Sequence, residues 1–199
     1  VREGVTEREL ARLLVAHALG HGAEAVLMAQ VAAGARAIFA NPRPSSHRLR
    51  RGDLVKIDVF VSVSGYLADT GRTVVVGPPS QRQRDVWSQM QETLSVVEAT
   101  IRPGVSVAEL WAVYAKAFRR HELVPVVRLG HGLGLGLQER PYVTALDRTF
   151  LEPGMVLAIE PVAGAGRGAG FHLEDNLIVT SHGIENLTSR FGPALIQVG

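Results

Sequence analysis

The sequence predicts an α+β fold: one domain over residues 1–199, built as two pseudo-symmetric α/β halves, about 1–100 and 101–199. Three observations carry that reading. A ten-residue text recurs at an offset of 100, VREGVTEREL at Val1–Leu10 and IRPGVSVAEL at Ile101–Leu110. Each copy opens a helix with a hydroxyl residue and a Glu three positions later, Thr6 with Glu9 and Ser106 with Glu109. Each half then runs into strands that carry acidic residues.

The elements follow in order. After the Thr6 capping box, Leu10, Leu13, Leu14 and His17 keep helical spacing until Gly20 and Gly22. Ala25–Ala32 is a buried strand or a short apolar segment, which periodicity alone does not separate. Asn41–Arg51, with Pro42 and Pro44, is a loop. Val55–Thr73 is a hairpin that turns at Ser64-Gly65. A long helix spans about Ser80 to Ile101, with Val86, Met90, Leu94 and Val97 on one face. The second copy leads an amphipathic helix through Leu110, Val113, Tyr114, Ala117 and Phe118. Met155–Glu160 is a strand ended by Pro161, and a Gly- and Ala-rich loop, Val162–Gly170, leads to a last acidic strand. The long helix precedes the second copy only. The expectation is therefore that a further segment or domain precedes Val1.

Composition excludes several classes. Without Cys there are no disulfides, thiolate metal sites or Cys nucleophiles. No apolar run reaches the roughly 18–20 residues of a membrane span, and VREGVTEREL is not a signal peptide. The net charge is only +2, and the Arg48, Arg50, Arg51 cluster lacks the aromatic interleaving of a nucleic-acid surface. A cytoplasmic protein that binds neither nucleic acid nor membrane is expected.

The hairpin register places the first acids. A two-residue turn pairs Phe60 with Asp69 and Asp58 with Gly71, so Asp58 and Asp69 share a face at roughly 7–8 Å between backbones. Like charges that close repel unless a cation intervenes; the bland alternative is two separately solvated strand carboxylates. Glu160 stands near the place that Asp58 holds in the first half. In FHLEDNLIVT, His172, Glu174 and Asn176 share one strand face. His131 lies in GHGLGLG, where alternating glycines imply close approach of a backbone, ligand or metal. A phosphate loop is the competing reading, but no helix start follows and no Lys is near. Two Asp, two Glu and one His form a hard, oxygen-rich set, suited to a pair of Mn²⁺, Fe²⁺, Co²⁺ or Zn²⁺ ions.

In that order, Asp58, Asp69, His131, Glu160 and Glu174 resemble the ligands of the dinuclear-metal pita-bread (M24-type) metallopeptidases. That family includes methionine and Xaa-Pro aminopeptidases, prolidase and creatinase-like proteins. The carrying texts are GDLVKID, GYLADTGRT, GHGLGLGLQERP, EPGMVLAIEP and LEDNLIVTSHGIENLT, and EDNLIVT with the hairpin is similar to the Xaa-Pro branch. The resemblance implies a pita-bread fold around a curved antiparallel sheet and two divalent ions, Mn²⁺ foremost. It also implies a small peptide or amide substrate, and a homodimer is a further expectation. Asp58 would chelate one ion, His131 and Glu160 the other, and Asp69 and Glu174 would bridge them. A metal-activated water would attack the scissile amide, with Glu160 placed to handle its proton.

The departures concern the outer residues. The family's second His, seven positions after the first, is Gln138 here, followed by Glu139. Its Pro-His before the first Asp becomes Asn41, with His47 a few residues on. A His four residues before the metal His becomes Val127, and an Arg two residues before the last Glu becomes His172. Gln138 and His172 are thus candidates for both substrate binding and catalysis, and Asn41 and His47 for substrate binding. Gln donates a hydrogen bond but does not exchange a proton near neutral pH. Two alternatives stay open beside an Xaa-Pro peptidase: a repurposed enzyme acting on a non-peptide C–N or related bond, and a non-catalytic peptide-binding module.

Overall fold

A computed structural model of the chain describes residues 1–166, 169–189, 192 and 194–199. Helix α1, Glu7–Gly20, is capped by Thr6, whose side chain accepts from Glu9 N while the Glu9 carboxylate accepts from Thr6 N at 2.8 Å. Strand β1 covers Ala25–Ala33, which resolves the ambiguous apolar segment as a strand buried at its second end. Strands β2, Leu54–Val63, and β3, Tyr66–Val76, form the hairpin. Its register pairs Val63 with Tyr66, Phe60 with Asp69 and Asp58 with Gly71. Ser64 and Gly65 both have positive φ, 52° and 78°, as a two-residue turn between right-twisted strands requires.

Helix α2, Gln81–Thr100, buries Val86, Met90, Leu94 and Val97. Helix α3, Val107–Arg120, is capped by Ser106, which accepts from Glu109 N. Among the described residues the return bond of the expected capping box is formed at Thr6 and not at Ser106. Strands β4, Arg128–Gly132, β5, Glu139–Thr144, and β6, Val156–Ile159, follow. The segment expected as a Gly-rich loop contains a hairpin instead, β7 (Val162–Gly166) with β8 (Ala169–His172). Residues 167 and 168 of that segment lie outside the described residues. Strands β9, Asp175–Val179, β10, Ile184–Asn186, and β11, Ile196–Val198, complete the chain.

The strands assemble in the order β1-β2-β3-β11 and in a second sheet β10-β9-β6-β4-β5, with β7-β8 apart. All pairs are antiparallel except β3 with β11. The two sheets meet where Glu174 N donates to Gly71 O at 3.1 Å and Thr73 Oγ1 exchanges bonds with the His172 backbone at 2.8 and 3.0 Å.

The halves repeat each other in hydrogen bonds as well as in text. Gly4 N donates to Leu49 O at 2.9 Å and Gly104 N to Leu151 O at 2.9 Å. Glu7 N donates to His47 O and Val107 N to Thr149 O, both at 3.0 Å. Gly4 and Gly104 share φ 84°, a left-handed conformation that glycine adopts without strain. Helix α1 packs Leu10 and Ala11 against Val31, Val55 and Val74. Helices α2 and α3 cover the second sheet through Met90, Leu110, Tyr114 and Phe118. Each buried Leu, Val, Met or Phe among them contributes roughly 1.5–3 kcal/mol. These two layers hold the strand ends that face the acidic cluster. No described helix is long and apolar enough to cross a membrane.

Candidate metal centre

Asp58 projects from β2 and Asp69 from β3, where the hairpin register puts them on one face. His131 comes from β4, Glu160 follows β6, and Glu174 precedes β9. His131 Nε2 lies 3.6 Å from Asp69 Oδ2 and 3.7 Å from Glu160 Oε1. The sequence face that carries Glu174 also brings in His172, whose Nε2 is 3.6 Å from Glu160 Oε2 and 3.8 Å from Glu174 Oε2. Two triads could each hold an ion, Asp58–His172–Glu174 and Asp69–His131–Glu174, with the ligand atoms of each within 4.8 Å of one another. Glu174 belongs to both.

The five expected ligands therefore converge. All but Glu160 are at most 5 % exposed, and the Glu160 side chain, 22 % exposed, is the one that reaches solvent. Oδ1 of Asp58 and of Asp69, both Glu174 oxygens and His131 Nε2 are buried without a hydrogen-bond partner among the described residues. An unpartnered buried carboxylate oxygen costs several kcal/mol. Here the orphaned atoms face one another, and a divalent cation would satisfy them together. Hard oxygens with imidazole nitrogen suit a first-row divalent ion, so the residues present fit the ions that the resemblance implies.

Ionisation reflects the crowding. Burial, then the charge of Asp69, pushes the Asp58 carboxyl up to about 8. Burial, then Asp69 and Asp58, raises Glu174 well above the carboxylate range. Burial acts upward on Glu160 too, but the nearness of His172, then of His131 and Arg128, outweighs it and holds this carboxyl low. Burial pulls His131 down, yet Asp69 and the Gly132 carbonyl carry it above the imidazole range. For His172 burial prevails and the ring is held below that range.

The glycines around His131 are explained by backbone contact rather than by a ligand. A Cβ on Gly130 would meet Ala158 O at 2.1 Å, and one on Gly132 would meet Arg140 O at 2.4 Å. These absences let β4 lie against β5 and β6 and carry His131 inward. His131 Nδ1 donates to Gly132 O at 3.0 Å, so in the neutral ring Nε2 carries the lone pair that faces the cluster.

The outer candidates divide. Asn41 and Gln138 line a cavity of about 540 Å³ together with Gln30, Arg43 and Phe60. Gln30 Nε2 donates to Asn41 Oδ1 at 3.2 Å. Gln138 is exposed and its Oε1 accepts from Arg128 Nη1 at 2.9 Å. Its link to the cluster runs through Arg128, whose Nη2 is 3.8 Å from Glu160 Oε1. His47 is not among the groups around the carboxylates: it pairs with Asp53 at 3.4 Å beside the N-terminus of α1. His172 lies inside the cluster. Val127, where the resemblance would have a His, is 83 % exposed.

Sequence reading missed Arg128 and Lys56. Lys56 is 2 % exposed and anchors the Phe39 and Ala40 carbonyls at 3.0 and 2.6 Å. Strand alternation could have found it, since it stands two residues before Asp58 on the same face. Arg72 joins β3 to β9 through Asp175 and the Glu174 carbonyl.

Fold and cluster together define a pita-bread scaffold with two buried carboxylate–histidine groups that could each hold an ion. The family model of the metallopeptidase family M24 matches residues 1–181, and the chain belongs to that family. It is 31% identical over 191 residues to an Xaa-Pro dipeptidase of Pyrococcus furiosus, covering 94% of this chain and 55% of that protein. It superposes on an X-Pro aminopeptidase from Thermotoga maritima with a TM-score of 0.94 at 28% identity, over 100% of this chain and 56% of the other. A dipeptidase PepE from Mycobacterium ulcerans gives 0.93 at 30% identity, over 98% of this chain and 53% of the other. The chain spans about half the length of the curated relatives it matches.

Proposed function

We propose that this chain carries the reactive centre of a metal-dependent hydrolase of Xaa-Pro dipeptidase or aminopeptidase type, acting on small peptides. Asp58, Asp69, His131, Glu160 and Glu174 hold two divalent ions in this reading, Mn²⁺ being the first to try. The observation that carries it is the set of buried, mutually facing and unpartnered donor atoms on Asp58, Asp69, His131 and Glu174. Bound ions would polarise the scissile carbonyl and lower the pKa of attacking water.

The chain's own residues supply the rest. Glu160 is the cluster carboxylate open to solvent and is held ionised, so it takes up and returns the proton. The neighbouring cavity binds the peptide through the amides of Gln30, Asn41 and Gln138, and Arg43 adds a cation suited to a peptide carboxylate. The buried strands exclude water from the far side of the cluster.

A second reading is favoured by Gln138. Its amide oxygen is already engaged by Arg128, and an amide transfers no proton near neutral pH. That combination suits a repurposed enzyme of the same fold that cleaves a non-peptide C–N bond. The test is turnover of Xaa-Pro dipeptides, N-terminal Met peptides and small amides by the chain loaded with Mn²⁺, Co²⁺ or Zn²⁺, beside Glu160→Gln. Metal-dependent peptide cleavage that Glu160→Gln lowers by about 10²-fold or more supports the first reading. Metal binding with cleavage of small amides alone supports the second, and absence of metal binding overturns both.

A further inference from the structure

We infer that His172 is itself a metal ligand, completing the ion position bounded by Asp58 and Glu174, so that each of the two ions receives one imidazole. The inference rests on the two-metal reading above and extends it to a sixth side chain.

The first support is the ring's surroundings. His172 is 2 % exposed, and neither ring nitrogen has a hydrogen-bond partner among the described residues. Nδ1 stands 3.9 Å from Asp58 Oδ2, and Nε2 stands 3.6 and 3.8 Å from Glu160 Oε2 and Glu174 Oε2. These distances are too long for hydrogen bonds. Two donors that each bond an ion at about 2.1 Å stand about 3 Å apart at a right angle and about 4.2 Å apart when opposed. An ion takes one ring nitrogen only, and one nitrogen of His172 lies within 4.8 Å of an oxygen of Asp58 and of Glu174, near the upper end of that spacing.

The second support is the duplication. Gly52 N donates to Val76 O at 2.7 Å, and Gly154 N donates to Val179 O at 2.8 Å. Val76 N donates to Asp53 O at 3.0 Å, and Val179 N donates to Met155 O at 2.8 Å. Val76 and Val179 are thus equivalent, and so are Asp53 and Met155. Counting back along β3 and β9, Gly71 corresponds to Glu174 and Asp69 to His172. Along β2 and β6, Asp58 corresponds to Glu160. Asp58 and Asp69 are both expected ligands, so the pseudo-two-fold puts Glu160 and His172 in the matching places.

The third support is the room made for the ring. A Cβ on Gly71 would lie 2.6 Å from both Cε1 and Nδ1 of His172 and 2.8 Å from Glu174 Oε2. Gly71 therefore leaves the volume that the imidazole fills, and the two residues act as a matched pair across the sheet junction. A second imidazole also shifts the donor set toward Co²⁺ and Zn²⁺ at this position, away from the all-oxygen environment that favours Mn²⁺.

The test uses the metal-free chain titrated with Co²⁺, followed by calorimetry and proton NMR. An imidazole bound to Co²⁺ gives a solvent-exchangeable, paramagnetically shifted N–H resonance. The wild type is expected to bind two ions and show two such resonances. His172→Gln should lose one resonance and weaken one of the two ions by at least about 10–100-fold, leaving the other unchanged. Gly71→Thr should lose the same resonance by pushing the ring aside. His131→Gln should lose the other. The wild-type spectrum decides the question even if a variant fails to fold. Two bound ions with a single exchangeable resonance, removed by His131→Gln, would overturn the role of His172 and leave the two-metal reading standing. No ion bound by the wild type would overturn both.

Discussion

The metal-free chain should lose stability as the pH rises from 6 to 8, which inverts the usual behaviour of a folded protein's carboxylates. The cause is Asp58, whose carboxyl goes from an ordinary value of 3.8 to about 8 in the fold through burial and the charge of Asp69. The sign follows from proton counting. Between these values the native state keeps a proton that the unfolded chain has released. The group's contribution is complete below pH 3.8 and is lost as pH climbs through 8. Each pH unit in that interval costs about 1.4 kcal/mol. Two units therefore remove about 2–3 kcal/mol, partly offset near pH 6 by His172, which burial keeps neutral while the unfolded chain protonates it. At about 2–4 °C per kcal/mol for a chain of this size, the melting temperature should fall by roughly 4–10 °C. Asp58→Asn should flatten the slope and raise the metal-free melting temperature at pH 8. Saturating Co²⁺ or Mn²⁺ should reverse the trend in the wild type, because metal binding favours ionised ligands and stabilises the native state by mass action. The assay is thermal unfolding by circular dichroism across pH, with chelator or with metal. A metal-free melting temperature that is flat or rises from pH 6 to 8 would refute the reasoning.

Other perturbations give separate readouts. Glu174→Gln should weaken both ions by at least about 10–100-fold in a Co²⁺ titration, since this carboxylate belongs to both triads. Gly130→Ala should cost about 3 kcal/mol or more in urea unfolding, because its Cβ would stand 2.1 Å from Ala158 O and neither strand can yield. Thr6→Ala should cost about 1 kcal/mol by removing the cap of α1, and an unchanged melting temperature would contradict that. Gln138→His should raise Xaa-Pro turnover toward the roughly 10²–10⁴-fold that a placed proton-transfer group supplies. No gain beside intact metal binding would favour the non-peptide reading.

Local chemistry made much of this legible from sequence. The hairpin register follows from Ser64-Gly65 alone, and it places Asp58 and Asp69 on one face before any fold is known. Thr6 and Ser80 mark helix starts because their side chains satisfy backbone donors that have no other partner. What stayed hidden depends on contacts between distant segments. The β7–β8 hairpin reads as a loop because alanine and glycine carry no strand alternation. His47 looks like a site residue by proximity in the chain, yet its ring turns to Asp53. Arg128 carries no motif, and its reach to Gln138 and Glu160 exists only after β4 and the following bend are in place.

His172 shows why a residue's type is a poor guide to its role until its neighbours are known. In the sequence it is a departure from a familiar pattern, where the resemblance would have Arg. A long cation at that position would need space and a partner of its own. Gly71 provides space only for a ring, since even a methyl there would meet the imidazole at 2.6 Å. Gly71 and His172 lie about a hundred residues apart and meet where β3 passes β8. Lys56, beneath them, places its charge on the Phe39 and Ala40 carbonyls rather than on a carboxylate. Arg128 reaches only Glu160, so Asp58, Asp69 and Glu174 have no side-chain cation within ion-pair distance among the described residues other than the histidines. A test of metal-dependent stability therefore bears on the chemistry of this chain independently of which bond it cleaves: if divalent ions balance these buried carboxylates, the chain should unfold more readily without them at pH 8.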